Sequence, residues 1–219
     1  MLTPSQIKEF VVGFLRTRGL IQTIEDIASL EVAGEIASVM RIPPLSGRLP
    51  GLEVLETTGS RNVGREQALR YAENPSESAL RISSKSLIEG VKMLAEMPLY
   101  KKTGATHCAI LFSQNGDPLV ASEDIGRHNA VDKTIGGGLL RRVDFANCWL
   151  AVSGRLPADM VVKPLLLGIP IIASVSAPTS DGIEVGERSG LTVIGFVSGG
   201  RLNCYSHPER VFGKLIRTP

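Results

Sequence analysis

The sequence predicts an α/β protein built around a mixed β-sheet, and three observations carry that prediction. From about residue 128 onward, amphipathic helical stretches alternate with apolar strand-like runs, the pattern of parallel strands joined by crossover helices. Just upstream, "HCAILF" and "PLVAS" flank "SQNGD", whose Asn115-Gly116 pair is a strong hairpin signal and makes the sheet mixed. Hydrophobic residues make up 43% and charged residues 21% of 219 residues, a soluble globular composition long enough for one full-sized core and short for two. With no repeat or low-complexity tract, residues 1–219 read as one domain: a helix, strands and a polar loop over 1–100, then the α/β core over 101–219.

The elements follow in order. Thr3 as N-cap, Pro4 at the first position and Gln6 closing a capping box predict a helix, with Ile7, Phe10, Val11, Phe14 and Leu15 on one stripe and Gly19 ending it. Its apolar face suits docking on a sheet. Residues 27–56 read as two strands, around Ile36–Ile42 and Leu52–Glu56, split by "PPLSGRLPG". The polar "TTGSRNVGRE" follows. A second helix is expected from about Ser84, burying Leu87, Ile88, Val91, Leu94 and Ala95. After the hairpin come a helix over His128–Arg142, the strand "CWLAVS", a helix over Ala158–Leu167, "IIASVS", a helix near Ser180–Arg188 and "LTVIGFVS". The run Gly136–Gly138 reads as the end of a helix.

Several function classes are excluded or disfavoured. A net charge of +2 does not argue for a nucleic-acid partner. No apolar run reaches the roughly 18 residues of a membrane span, and "MLTPSQIKEF" is not a signal peptide, so a cytoplasmic protein is expected. The three cysteines, Cys108, Cys148 and Cys204, are odd in number and widely spaced, which fits a reducing compartment. His107, His128 and His207 lack metal-ligand spacing, and there is no C-x-x-C, Walker A or G-x-G-x-x-G after a strand.

Three strand ends carry a similar signal: Ser153-Gly154-Arg155, Ser176 with Pro178 and Thr179, and Ser198-Gly199-Gly200-Arg201. Parallel strands bring such ends to one edge, where open α/β sheets bind ligands. Small residues admit a ligand to the backbone, helix starts favour anions, and Arg155 and Arg201 suit phosphate. Ser, Gly and Pro are common in any such turn, so three in register carry more weight than one. In "EDIGRHNAVDK", Asp124 and Gly126 suit a helix start, while Arg127, His128, Asn129, Asp132 and Lys133 exceed what capping and solvation need. Thr106 and His107 in "TGATH" join the candidates, although a lone histidine is more often a core residue.

Together, "TGATH", "EDIGRHNAVDKTIGG", "SGRLPADMVVK", "GIPIIASVSAPTS" and "GLTVIGFVSGGRLNCYS" resemble the formate dehydrogenase accessory sulfurtransferase family, FdhD, as does "TPSQIKEFVVGFLRTRGLI" near the start. The resemblance spans nearly the whole chain and is strongest from Thr103 to Ser206. It implies a cytidine-deaminase-like α/β/α sandwich without the deaminase zinc, and a homodimer. It implies acceptance of sulfur as a persulfide from a cysteine desulfurase. The sulfur would pass to the molybdenum (or tungsten) bis-molybdopterin guanine dinucleotide cofactor of formate dehydrogenase or a related enzyme. The family's cofactor-binding segment matches Phe196, Val197, Ser198, Gly199, Gly200 and Arg201.

One departure is large. The family's sulfur-carrying cysteines, commonly C-G-x-C-G, lie in a region that runs from "TTGSRNVGRE" through "SSKSLIEG" here, where no cysteine occurs and Ser60 is the best match. A serine hydroxyl does not carry a persulfide. Cys204, near the "GGR" turn, and Cys108 are the fallback thiols; Cys148, in an apolar strand, reads as structural. Two functions follow: a sulfurtransferase that matures the cofactor, with Arg127, Lys133, Arg155 and Arg201 holding its phosphates, or a cofactor- or guanine-nucleotide-binding chaperone without the sulfur step.

Overall fold

The computed structural model describes residues 1–42 and 78–213. In order these form α1 (Ile7–Thr17), β1 (Ile27–Ala33), β2 (Ile36–Arg41), β3 (Ile82–Ser83), α2 (Ser84–Lys92), α3 (Pro98–Thr103), β4 (His107–Ser113), β5 (Pro118–Asp124), α4 (Arg127–Leu140), β6 (Cys148–Val152), α5 (Ala158–Leu165), β7 (Ile171–Ser174), α6 (Ser180–Ser189), β8 (Thr192–Ser198), β9 (Arg201–Cys204) and β10 (Val211–Phe212).

The main sheet has six strands in the order β5-β4-β6-β7-β8-β9. β6, β7 and β8 are parallel, as crossovers require, and β4, β5 and β9 run against their neighbours, β4–β5 and β8–β9 being hairpins. Side chains alternate between two apolar layers. Ala109, Leu111, Leu150, Val152, Ile172 and Val193 face α4, α5 and α6; Ile110, Phe112, Trp149, Ala151, Ile171 and Ile194 face α2. The result is an α/β/α sandwich. Among the described residues, no helix is long and apolar enough to cross a membrane, and no group of three or more His, Cys, Asp or Glu side chains is placed to hold a metal.

α1 departs from expectation twice. It begins at Ile7 behind Gln6, whose φ is 52° and whose side chain makes no cap. Thr3 is not free to cap it. Its N–H donates to Asp124 Oδ2 at 2.9 Å, its hydroxyl accepts from the Ile125 N–H at 3.1 Å, and its carbonyl accepts from Lys133 Nζ at 2.9 Å. Nor does α1 dock on the sheet. It lies on α4, with Gly13 against the Asp132 carbonyl and Gly136 against the Glu9 carbonyl, so close that a Cβ at either would overlap backbone. Gly136–Gly138 therefore do not end the helix: they sit inside α4, buried, where small residues admit a second helix. Covered by sheet on one side and α1 on the other, α4 is buried without interruption from Asn129 to Gly138.

The predicted strand near Ile36–Ile42 forms β2, but its partner is Ile27–Ala33, which lacks a strict alternation and was not expected. The expected strand Leu52–Glu56 and Ser60 lie outside the described residues. α2 starts at Ser84 with the Ser83 hydroxyl accepting from the Ser86 N–H, and buries Leu87 and Val91 as expected; Leu94 is buried in the 3-10 turn that follows, and Ala95, assigned to the same face, is exposed.

Candidate functional site

The sheet topology brings the predicted segments to one edge. The C-terminal ends of β6, β7 and β8 lie there with the start of β4 and the end of β5, since His107 pairs with Asp124 and Ala109 with Val152. Of the three loops, those after β6 and β7 lead into α5 and α6. The third does not. Gly199 and Gly200, with φ of 57° and 75°, form a tight turn from Ser198 to Arg201 and send the chain back as β9. A helix start therefore stands behind the first two loops and not behind "SGGR". Thr179 uses its hydroxyl to accept from the Gly182 N–H at 3.2 Å, Pro178 closes on Gly195, and Ser176 receives the Phe196 N–H on its carbonyl.

The polar residues of "EDIGRHNAVDK" are mostly spent inside the protein. Lys133 is fully buried, and its three ammonium donors meet Asp124 Oδ2 at 2.7 Å, the Thr3 carbonyl at 2.9 Å and the Glu123 carbonyl at 3.2 Å. It has no donor left for a phosphate, which corrects the expectation that it would hold one. Asp124, also fully buried, accepts from the N–H groups of Thr3 and Gly126 and from Asn129 Nδ2. Asp132 accepts from Thr17 Oγ1 at 2.9 Å and pairs with Lys163 at 2.6 Å. These residues join α4 to the chain's first residues, to α1 and to α5. Arg127 and His128 remain nearer solvent. His128 Nε2 lies 3.0 Å from Asp159 Oδ2. Burial raises the Asp159 carboxyl, but the His128 hydrogen bond and charge, with Arg127 and Lys163, outweigh it and hold the group below its ordinary value.

On the α2 side of the same edge lies a cleft of about 410 Å³. Val91, Leu94, Ala95 and Tyr100 form one wall, and Cys108, Ser153, Val175, Val197, Ser198 and Gly199 the other, with Lys92 and Glu96 also lining it. The walls are apolar and the polar groups few, the usual make-up of a small-ligand site. Phe196, half exposed, has a φ of 52°, an uncommon conformation for a bulky residue and one that concentrates at functional sites. Arg155 and Arg201 are exposed at the same edge.

The second wall was legible as the strand-end loops; the first was not, because α2 read as an ordinary core helix and α3 was not expected. Glu123 was also missed. Its carboxylate accepts from the N–H groups of Leu99 at 2.9 Å and Tyr100 at 2.5 Å, and from Thr106 Oγ1 at 3.3 Å, so it pins the start of α3, and with it Tyr100, to the sheet. A carboxylate beside one already assigned to a helix cap carried no separate signal.

The thiols are withdrawn. Cys108, Cys148 and Cys204 are all buried. Burial, with the nearby Glu123 carboxylate, pushes the Cys108 thiol up to about 12, and burial with Asp144 pushes Cys148 to about 11. Cys204 donates its S–H to the Ser206 carbonyl at 3.3 Å. Cys108 touches the cleft, but as a thiol and not a thiolate.

Comparison with known proteins adds sequence relatives and a solved structure. The family model described as the FdhD/NarQ family matches residues 1–212. The sulfur carrier protein FdhD of Methanothermobacter thermautotrophicus is 39% identical over 210 residues, covering 95% of this chain and 82% of that protein. The protein of the same name from Sulfurisphaera tokodaii is 39% identical over 214 residues, covering 96% and 82%. A crystal structure from Desulfotalea psychrophila, ascribed to a formate dehydrogenase accessory protein, superposes with a TM-score of 0.77 at 30% identity, covering 97% of this chain and 82% of its own.

Proposed function

The chain belongs to the FdhD/NarQ family, and from that membership we propose that it serves formate dehydrogenase, or a related molybdo- or tungstoenzyme, by holding the enzyme's cofactor as cargo. The cargo is the molybdenum (or tungsten) bis-molybdopterin guanine dinucleotide, and a guanine or pterin ring system would enter the cleft. The observation that carries this is the cleft itself: a largely apolar slot of about 410 Å³ at the strand ends, with Arg155 and Arg201 exposed at the same sheet edge. Lys133 takes no part. The same proposal places the protein in the cytoplasm as a homodimer, with the client enzyme as its partner.

Calorimetric titration with GDP tests it. Wild type binds, and Arg201→Ala weakens binding severalfold to a hundredfold, about 1–3 kcal/mol for a charged hydrogen bond. An unchanged dissociation constant removes Arg201 from the site, and no binding by wild type removes the cleft.

The second reading, a sulfur carrier fed by a cysteine desulfurase, is favoured by the names of the relatives. It requires an accessible thiolate, and three buried thiols, with the pKa raised at Cys108 and Cys148, weigh against one on this chain. Intact-protein mass spectrometry after incubation with a desulfurase and free cysteine is expected to show no thiol-labile gain of sulfur. A gain mapped to Cys204 or Cys108 would restore the sulfur-carrier reading.

A further inference from the structure

Within the cleft, Ser153 is held unusually firmly. Its N–H donates to the Cys108 carbonyl at 3.0 Å, continuing the β4–β6 ladder by one residue. The returning Cys108 N–H does not reach the Ser153 carbonyl. It donates to Ser153 Oγ at 2.9 Å. A side-chain oxygen thus completes a backbone rung, and the ladder fixes its position. His107 Nδ1 lies 3.1 Å from the same oxygen, and among the described residues that is the imidazole's one hydrogen bond.

We infer that Ser153 selects the ring that enters the cleft, its oxygen accepting an exocyclic amino group from a planar heterocycle. This rests on the proposal that the cleft holds a ring end of the cargo, and it names the edge recognised. Burial, with the charges of Arg127 and His128 and against the opposing pull of Asp124, holds the His107 imidazole below its ordinary range, so it is neutral at pH 7. On this inference the imidazole proton sits on Nε2, to which no group among the described residues donates, so that Nδ1 accepts the Ser153 O–H. With that proton committed and one lone pair taken by the Cys108 N–H, a single lone pair of Ser153 Oγ remains. Where Val91, Leu94, Val175 and Val197 line the cleft, an acceptor fixed by the ladder favours the ring edge that pairs with it, because an unpaired polar group there is costly. Guanine and pterin share such an edge, the 2-amino-4-oxopyrimidine; hypoxanthine lacks the amino group.

The test is calorimetric titration at pH 7.5 with GDP, IDP and a 2-amino-4-oxopteridine. Wild type is expected to prefer GDP over IDP about tenfold, the scale of one hydrogen bond. Ser153→Ala brings the two affinities within about twofold of each other, and Ser153→Thr, which keeps the hydroxyl, retains the preference. His107→Ala, which frees the hydroxyl to turn, lowers the preference and provides a second measure if Ser153→Ala does not fold. Once the preference is lost in Ser153→Ala, which supports the inference, tighter binding of the pteridine than of GDP assigns the cleft to the pterin end, and the reverse to guanine. Equal affinity of wild type for GDP and IDP, or a preference that survives Ser153→Ala, overturns the inference and leaves the cargo proposal standing. Failure of wild type to bind any of the three overturns both.

Discussion

Lys133→Ala is expected to destabilise the protein by about 3–5 kcal/mol, the usual cost of removing one partner of a buried ion pair. Lys133 and Asp124 are both fully buried, 2.7 Å apart. Truncation leaves a buried carboxylate without its counter-charge, leaves the Thr3 and Glu123 carbonyls without a donor, and opens a void along the lysine stem. The three remaining donors to Asp124, from Thr3, Gly126 and Asn129, soften the loss without replacing the charge. Urea unfolding followed by circular dichroism measures it. Lys133→Met, which keeps the volume, separates the charge contribution from the cavity. A loss below about 1 kcal/mol would mean that Asp124 is satisfied by neutral donors alone.

Gly136→Ala is the second large effect. In an exposed helix this change gains up to about 1 kcal/mol. Here the new methyl would overlap the Glu9 carbonyl and crowd the Gly13 N–H, atoms of α1 that retreat only if the helices separate. Overpacking of this kind costs about 1–3 kcal/mol or more, so a net loss of about 2 kcal/mol is expected, a fall of roughly 4–8 °C in Tm for a chain of this size. Gly137→Ala meets Val120 Cγ1, a side-chain atom that shifts more readily, and is expected to cost less. A Gly136→Ala protein as stable as wild type would show that α1 does not press on α4 this closely.

Local signals placed the core elements well. Asn115-Gly116 marked the β4–β5 hairpin, and β6, α5, β7, α6 and β8 fall where helix and strand periods alternate. The strand-end loops pointed to the edge of the sheet that carries the cleft, because the hairpin and crossover pattern brings those strand ends together. The candidate site was legible on one side only. Ser153, Val197, Ser198 and Gly199 were within reach of sequence reasoning. Tyr100 and Glu123 were not, since one is a partner of the other across 23 residues of chain and neither belongs to a motif.

The polar cluster of "EDIGRHNAVDK" shows the limit most clearly. Its composition announced groups that solvent and capping do not explain, and that much was true. Residue types alone do not say whether such groups face a ligand or one another. Thr3, 130 residues from Lys133, brings a carbonyl to its ammonium, and α1 brings Thr17 to Asp132. Periodicity and turn chemistry are local and survive in the bare sequence, so the α/β order and the sheet edge were settled there. Burial and pairing are three-dimensional. They turned a supposed phosphate clamp into an internal brace, and three cysteines into thiols closed to solvent.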